Sequence, residues 1–156
     1  MDIIKTETDM INWGEKLGKT LPVPVTIELI GDVGTGKTTL VKGIARALGI
    51  TTPITSPSFT LSKTYPLPPA PGTFPAPARP RSGRSVQGVS RLSHYDFYRL
   101  ADPGILAEEL AESIHDPNTI TIVEWAETVK NVLPEKRTTI TLKYLDDGSR
   151  SVEIAQ

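Results

Sequence analysis

Cysteine is absent from this sequence of 156 residues, and histidine occurs only twice, as His94 and His115. Without cysteine the chain can form neither a disulfide bond nor a thiolate zinc site, and it lacks the ligands of an iron–sulfur cluster and a thiol nucleophile. Two histidines also disfavour a metal site built from several imidazoles. The absence of cysteine therefore excludes thiol chemistry, and the shortage of histidine makes a multi-histidine metal site improbable.

Neither a strong net charge nor a long hydrophobic run is present. The chain has 17 basic and 18 acidic residues, for a formal net charge of -1, which disfavours nucleic-acid binding driven by bulk charge. No apolar run approaches the ~20 residues that a membrane span requires. The acidic start MDIIKTETDM also lacks the basic and apolar regions of a secretory signal. We therefore expect a cytoplasmic protein without a membrane or DNA partner.

Strand-like and helix-like patterns alternate along the chain, and 38% of its residues are hydrophobic. This length and content suit one domain with its own core. Extended segments are predicted over residues 25–30, 58–64, 92–98 and 119–123, with a hairpin over 138–144 and 149–154. Helices are predicted over residues 9–19, from Lys37 to Gly49, and from Asp102 onward. We predict a single α/β domain over residues 1–156, with a mixed β-sheet flanked by helices on both faces and a C-terminal β-hairpin.

Proline and arginine are concentrated in one stretch, residues 66–93. Seven of the 14 prolines lie between Pro66 and Pro80, and the stretch contains no acidic residue. Its arginines are Arg79, Arg81, Arg84 and Arg91. Because the stretch lacks the apolar periodicity that would bury it, we expect a mobile insertion inside the domain rather than a linker. A tolerated surface loop and an arginine-mediated contact with a partner or nucleic acid are both open interpretations.

A glycine-rich segment, GDVGTGKT at residues 31–38, lies between a predicted strand and a predicted helix. It fits the G-x-x-x-x-G-K-[ST] pattern of a phosphate-binding loop, or P-loop. Its glycines let backbone N–H groups point inward at phosphate, and the helix N-terminus adds positive partial charge. Lys37 would contact the β- and γ-phosphates, and the Thr38 hydroxyl would bind Mg²⁺. The segment therefore predicts binding of a nucleoside triphosphate in a P-loop NTPase-type domain.

Two acidic residues, Asp96 and Glu124, stand at predicted strand ends, where open α/β sheets bind their ligands. Glu124 can hold Mg²⁺ through water or polarise an attacking water. Two acids at one phosphate site would divide into a metal holder and a water orienter, and the pattern does not decide which is which. The alternative for Glu124 is a solvated acid at a strand end, and the alternative for Asp96 is a structural cap. Trp125, which follows Glu124, is interpreted as a core or interface residue, as is Trp13.

Two motifs that the sequence lacks limit which nucleotide we expect, and the site leaves three reactions or functions open. The chain has neither the Asn-Lys-x-Asp run of a guanine pocket nor a D-x-x-G switch, so ATP is the expected nucleotide. Three functions are compatible with such a site: an ATPase, a small P-loop kinase that phosphorylates a small-molecule hydroxyl, and a nucleotide-dependent binding module without useful turnover. Arginines of the insertion could imitate a kinase lid, but the proline content argues against an ordered lid.

Four ordered segments of the chain resemble the TsaE (YjeE) family of small bacterial P-loop ATPases. The segment GDVGTGKTT resembles the family's GDLGAGKTT, and SPSFTL, at residues 56–61, resembles its SPTFTL switch segment. HYDFYRL, at residues 94–100, resembles H-x-D-x-YRL, and the pair EW at residues 124–125 resembles the family's strand-end EW. The resemblance covers about residues 8–154 without the insertion, and the order of the four segments makes it specific.

This resemblance implies an ATPase, weak alone and stimulated by partners, that serves the threonylcarbamoyladenosine modification of tRNA. It implies Mg²⁺ shared by Thr38 and Glu124, hydrolysis supported by Asp96, and a TsaB–TsaD-type partner complex through which the protein meets tRNA indirectly. The expected catalytic residues are thus Lys37, Asp96 and Glu124. The expected nucleotide-binding residues are Gly31, Asp32, Gly34, Thr35, Gly36, Lys37, Thr38, Thr39 and Ser56.

Overall fold

A computed structural model of the chain describes residues 1–69 and 89–155. The strands in these residues are β1 (Asp2–Ile4), β2 (Val25–Ile30), β3 (Ser62–Pro66), β4 (Arg91–Asp96), β5 (Thr119–Glu124), β6 (Thr138–Tyr144) and β7 (Arg150–Ala155). The helices are α1 (Glu7–Gly18), α2 (Lys37–Ala47) and α3 (Gly104–His115), with a short 3-10 helix over Ala126–Val129. Within this described part of the chain, no helix is long and apolar enough to cross a membrane.

The seven strands form one sheet in the order β1-β7-β6-β2-β5-β4-β3. The central strands β6, β2, β5 and β4 run parallel, whereas β1, β7 and β3 pair antiparallel with their neighbours. This arrangement confirms the predicted single α/β domain with a mixed sheet. Because the parallel strands end at the same edge, the segments that follow β2, β4 and β5 are brought together there.

Apolar side chains are buried on both faces of the sheet because successive residues of a strand point to opposite sides. Strand β5 shows this alternation most clearly. Its Ile122 belongs to the core that includes Ile44 of α2, and the next residue, Val123, belongs to the core that includes Leu110 of α3. The predicted covering of both faces by helices is therefore confirmed.

Helices α1 and α2 approach each other backbone to backbone at glycine positions. A Cβ atom on Gly14 would lie 2.5 Å from the carbonyl oxygen of Leu40, and one on Gly43 would lie 2.9 Å from the Cα atom of Gly14. Both distances are far shorter than a van der Waals contact, so this helix pair requires glycine at the crossing. Helix α2, which follows the P-loop, is thereby held close against α1.

The structure differs from the predicted elements mainly at their ends. Helix α1 begins at Glu7, two residues before the prediction, because Thr6 and Asp9 form a reciprocal capping box. Residues 58–60 form a turn rather than an extended segment, and β3 begins at Ser62. Strand β1 and the 3-10 helix were not predicted, because both are too short to show a hydrophobic period.

The predicted insertion, residues 66–93, is too wide at both ends. Pro66 ends β3, and β4 begins at Arg91, which pairs with Pro66 in the antiparallel register. The Arg91 side chain donates to Thr119 and to the Asp116 carboxylate, so this arginine is held rather than mobile. Pairing between β3 and β4 therefore determines the structure at both ends of this stretch, although the composition predicts a mobile insertion there. Residues 70–88, which contain the other three arginines of the stretch, lie outside the described residues, and their predicted mobility stays a prediction.

Candidate active site

The P-loop connects β2 to α2 and has the left-handed backbone that its glycines permit. The φ angles of Gly31, Gly34 and Gly36 are 152°, 84° and 103°. A Cβ atom on Gly31 would lie 2.5 Å from the carbonyl oxygen of Leu142 in β6, so sterics and backbone conformation both demand glycine at this position. The loop forms a cradle of the kind in which backbone N–H groups bind phosphate.

Side chains of the loop itself keep the cradle in shape. The Thr35 hydroxyl donates to the carbonyl oxygen of Asp32 over 2.8 Å, and the N–H of Thr35 donates to the same oxygen over 3.3 Å. Thr35 is 1% exposed and therefore belongs to the interior of the loop. The predicted nucleotide-binding residues Asp32 and Thr35 thus shape the loop through the Asp32 carbonyl group.

Lys37 lies at the centre of the site and is almost completely buried, at 5% exposure. Its Nζ atom donates to the carbonyl oxygens of Gly31 and Asp32, over 2.7 and 3.1 Å. The same atom lies 3.7 Å from Glu124 Oε2 and 4.8 Å from the centre of the Trp125 ring. The structure therefore brings together two of the residues predicted to be catalytic, Lys37 and Glu124.

Thr38 and Thr39 lie in the first turn of α2, directly after Lys37. The N-cap of this helix is Gly36, which offers no side chain to the first N–H groups, and the first turn contains no acidic residue. An α-helix leaves its first N–H groups without partners in the helix, and their partial positive charge favours an anion. The start of α2 therefore adds backbone donors to those of the loop.

Asp96 and Glu124 are neighbours across the pair β4–β5. The parallel register places Asp96 opposite Glu124, at the strand ends that border the P-loop, and the two side chains are 1% and 3% exposed. Residues paired in this way project from the same face of a sheet. Both acids thus lie at the edge where the sequence pattern predicted them, on the face that also carries Ile122 and α2.

The segment SPSFTL reaches Asp96 through Ser58. The Ser58 hydroxyl donates to Asp96 Oδ2 over 2.5 Å, and the N–H of Tyr98 donates to the other carboxylate oxygen over 2.9 Å. Ser56, the residue predicted to bind nucleotide, is exposed and lies 2.7 Å from the Ser58 hydroxyl. Sequence reasoning therefore missed Ser58 as the direct partner of an acidic residue, although it belongs to the segment that the resemblance marked.

Trp125 is a site residue as well as a core contact. Its ring lies over the Lys37 ammonium and 4.9 Å from the ring of Tyr98, on which the Arg99 guanidinium stacks at 4.8 Å. Trp125 thus contacts Lys37 in addition to packing against the core, where the sequence interpretation placed it. Trp125 and Arg99 also have positive φ angles, of 56° and 59°, which are unusual for residues other than glycine. Such strain is concentrated at functional sites.

Two further residues at the site were not predicted. His94 is fully buried on β4, two residues before Asp96, and its Nε2 atom lies 2.9 Å from Glu124 Oε1. The alternation of His94 and Asp96 on one face of a strand is the signal that could have identified it. Tyr144, at the end of β6, places its hydroxyl 2.9 Å from where a Cβ atom on Gly34 would be. The C-terminal hairpin therefore borders the P-loop.

The residues at the sheet edge fit a nucleotide with a divalent cation. The loop requires glycine and opens onto a helix N-terminus, which suits phosphate. The candidate metal ligands, the Thr38 hydroxyl and the Glu124 carboxylate, present oxygen, and Mg²⁺ is commonly held by one or two carboxylates together with phosphates. No cluster of three or more His, Asp or Glu side chains suited to a metal occurs in residues 1–69 and 89–155.

Comparison with known proteins gives a consistent result over almost the whole chain. The model of the family described as "Threonylcarbamoyl adenosine biosynthesis protein TsaE" matches residues 4–152. The chain is 32% identical over 153 residues to the tRNA threonylcarbamoyladenosine biosynthesis protein TsaE of Treponema pallidum, covering 98% of both sequences. It is 36% identical over 147 residues to the protein of the same name from Nostoc sp., covering 92% of this chain and 78% of the relative. The crystal structure of YdiB from Bacillus subtilis superposes with a TM-score of 0.68 at 26% identity, covering 97% of this chain and 80% of YdiB.

Proposed function

This chain belongs to the TsaE family of threonylcarbamoyladenosine biosynthesis proteins, and from that premise we propose that it binds ATP with Mg²⁺ and hydrolyses it to drive a step of tRNA modification. The observation that carries the proposal is the buried arrangement of Lys37 between the P-loop carbonyl groups and Glu124. It joins a phosphate-binding lysine to an acid that ends a neighbouring strand, as phosphoryl transfer requires.

The backbone N–H groups of the loop and of the first turn of α2 would bind the phosphates, with Lys37 neutralising charge on the β- and γ-phosphates. Thr38 and Glu124 would hold Mg²⁺, which stabilises the negative charge that develops on the phosphates. The Trp125 ring packs against the Lys37 ammonium and limits the directions in which that side chain can move. These residues bind and orient the triphosphate.

Asp96 is the residue that we propose for orienting the attacking water. Its carboxylate accepts hydrogen bonds from the Ser58 hydroxyl and from the N–H of Tyr98, so the position of both oxygens is defined. Because Ser58 belongs to the segment SPSFTL, a movement of that segment would change the hydrogen bonding of Asp96. The contact supports a role for this segment as a switch that couples the γ-phosphate to the catalytic acid.

We further propose that the protein acts in the cytoplasm with a TsaB–TsaD-type complex and meets tRNA through that complex. The small P-loop kinase considered from the sequence gains no support from the family. The two reactions differ in the acceptor of the γ-phosphoryl group, which is water in an ATPase and a substrate hydroxyl in a kinase.

Incubation with γ-labelled ATP and Mg²⁺, alone and with the partner complex, decides between them. We expect the label to be recovered as inorganic phosphate at the rate at which ADP forms. Label on a small-molecule acceptor would favour the kinase, and tight ATP binding without ADP formation, even with partners, would indicate a binding module.

A further inference from the structure

His94 is a fully buried polar residue for which the proposed ATPase mechanism has no role. It lies on β4 opposite Ile122 of β5, so Glu124 is its diagonal neighbour on the same face of the sheet. Its ring is 0% exposed, and two apolar neighbours on the same face, Leu92 on β4 and Ile122 opposite it on β5, are fully buried as well. An imidazole in such surroundings is costly unless its polar atoms are used.

The His94 ring forms its hydrogen bond to Glu124 through the Nε2 atom. A carboxylate oxygen can only accept, so His94 Nε2 carries the hydrogen that is donated to Glu124 Oε1 over 2.9 Å. The other ring nitrogen, Nδ1, is buried and has no hydrogen-bond partner in the described part of the chain. The bond from Nε2 to Glu124 is thus the side-chain hydrogen bond that the described part of the chain gives to this ring.

The two oxygens of Glu124 face different partners as a result. Oε1 is turned back toward His94, inside the sheet, and Oε2 lies 3.7 Å from the Lys37 Nζ atom, on the side of the P-loop. Without the bond to His94, the carboxylate could rotate about its last torsion angle, which has a broad energy profile. The bond thus keeps one oxygen directed to the phosphate side.

We propose that His94 is a positioning residue that fixes the Glu124 carboxylate so that Oε2 is presented to a divalent cation bound with the triphosphate. The inference rests on the proposed role of Glu124 in holding Mg²⁺. Residues that orient metal ligands in this way commonly contribute 10–100-fold to metal affinity or activity. A residue that merely fills the core would affect stability and leave the metal dependence of nucleotide binding unchanged.

The test compares two replacements of His94 by calorimetry of ATP binding in EDTA and across a series of Mg²⁺ concentrations. His94→Leu retains apolar volume and removes the donor, and His94→Gln retains an amide N–H close to the position of Nε2. We expect His94→Leu to bind ATP in EDTA within about twofold of the wild type and to need about 10–100-fold more Mg²⁺ for half of the Mg²⁺-dependent gain in affinity. His94→Gln is expected to recover most of that difference. If His94→Leu does not fold, His94→Asn, whose shorter amide cannot reach Glu124, replaces it in the comparison.

Thr121→Val is the matched control, because Thr121 is equally buried on β5 but faces Ser113 of α3 on the opposite side of the sheet. It should lower the melting temperature by a few degrees and leave the Mg²⁺ requirement unchanged. In a Glu124→Gln background, His94→Leu should add no further change in that requirement, since coupled residues are not additive.

An unchanged Mg²⁺ requirement in His94→Leu, or an equal loss of ATP affinity with and without Mg²⁺, would overturn the positioning role alone. A wild-type protein whose ATP affinity does not respond to Mg²⁺ would overturn the proposed metal site, and the positioning role with it.

Discussion

Lys37, Asp96 and Glu124 are charged side chains that lie almost wholly out of water, at 5%, 1% and 3% exposure. A buried charge is tolerated when it is paired and hydrogen-bonded, and it is costly when it is not. Lys37 contacts two carbonyl oxygens, a carboxylate and an aromatic ring, and Asp96 accepts two hydrogen bonds. At the scale of single residues, each replacement therefore removes a functional group and also leaves a partner without its contact.

Lys37→Ala is expected to weaken ATP binding by about 100-fold or more, equivalent to about 2.8 kcal/mol, because it removes the ammonium group that lies between the P-loop carbonyl groups and Glu124. Calorimetry with ATP and Mg²⁺ measures the loss. Lys42→Ala is the matched control, since Lys42 belongs to the same helix but is exposed and pairs with Glu7 over 3.4 Å. Affinity like that of the wild type in Lys37→Ala would contradict the assignment of this loop as the nucleotide site.

Glu124→Gln and Asp96→Asn are expected to slow ATP hydrolysis by about 10–1,000-fold, measured as phosphate release with partners present. Glu124→Gln preserves the shape of the side chain but removes charge from the proposed metal ligand, so it should also reduce the effect of Mg²⁺ on binding. Asp96→Asn should change ATP affinity less. Ser93→Ala, in a buried residue on the opposite face of β4, is the control for loss of a polar group. Full activity in both acid variants would remove these residues from the mechanism.

The sequence pattern identifies residues whose role depends on position along the chain, and it misses those whose role depends on contact across it. Lys37, Thr38 and the loop glycines follow from one continuous motif, and Glu124 follows from its place at a strand end. Ser58, by contrast, meets Asp96 from 38 positions away, and neither position alone indicates the hydrogen bond. Pairing between β4 and β3, and between β4 and β5, has to form before such contacts exist.

At the scale of secondary-structure elements, the crossing of α1 and α2 fixes where the first turn of α2 lies relative to the sheet. Glycine at the crossing costs helix propensity, about 1 kcal/mol relative to alanine. Close approach of the two helices must offset this cost through the packing of the residues around the crossing, among them Met10, Leu40 and Ile44. The glycines of these helices thus serve packing and not flexibility.

Gly43→Ala is expected to destabilise the protein, by about 1–2 kcal/mol and about 4 °C in melting temperature. A new Cβ atom there would collide with the carbonyl oxygen of Ile11 and lie 2.9 Å from the Cα atom of Gly14. Such overpacking costs about 1–3 kcal/mol, more than the gain in helix propensity returns. Thermal unfolding measures the change. Asn12→Ala, on the exposed side of α1, receives the propensity gain without the collision. If Gly43→Ala instead stabilises the protein as much as Asn12→Ala does, the two helices can move apart to accommodate the new Cβ atom.

The hairpin of β3 and β4 is closed on both sides of residues 70–88. Its register runs from Ser62–Tyr95 to Pro66–Arg91, and the N–H of Leu67 donates to the carbonyl oxygen of Ser90 over 2.7 Å. Replacement of residues 70–88 by a short Gly/Ser connection is therefore expected to leave the melting temperature within about 3 °C and ATP affinity within about twofold, since loop length contributes little to closure entropy.

A wider deletion, of residues 67–91, is the comparison for this prediction. It would remove Leu67 and Val89, which pack against the core, and Arg91, which holds Asp116 and Thr119. The wider deletion should lower the melting temperature clearly more than the narrow one. A large loss of stability from the narrow deletion would show that residues 70–88 are packed and that the predicted mobility is wrong.

At the scale of the whole molecule, the candidate site is assembled from β2, β4, β5 and α2, together with the segment SPSFTL that contacts Asp96. The sequence predicts most of this arrangement. The order of strand and helix patterns predicts the α/β class, and apolar runs such as residues 25–30 and 119–123 predict central strands. The position of β1 beside β7 could not be predicted, because an edge strand of three residues is specified by its partner rather than by its own pattern.

We expect the isolated protein to hydrolyse ATP slowly and a TsaB–TsaD-type complex to accelerate the reaction. Each arginine in the described residues contacts an acidic or aromatic side chain: Arg46 with Glu15, Arg91 with Asp116, Arg99 with Tyr98, Arg137 with Glu28 and Arg150 with Tyr144. Lys37 is the side chain whose ammonium group the described part of the chain places at the P-loop carbonyl groups and at Glu124. An arginine supplied by a partner can contribute ~10³–10⁵ in rate.

We expect a partner to bind at the segment SPSFTL, in which Phe59 is fully exposed and the Ser58 hydroxyl donates to Asp96. A partner that moves this segment would change the hydrogen bonding of Asp96, so we expect association to depend on ATP. Phosphate release with and without the complex, and capture of the complex by the tagged protein with and without ATP, measure the two effects. Lys37→Ala should fail in ATP-dependent capture, and Phe59→Ala should weaken capture while keeping ATP affinity. Equal rates of phosphate release with and without the complex, together with no ATP-dependent capture, would contradict stimulation by a partner.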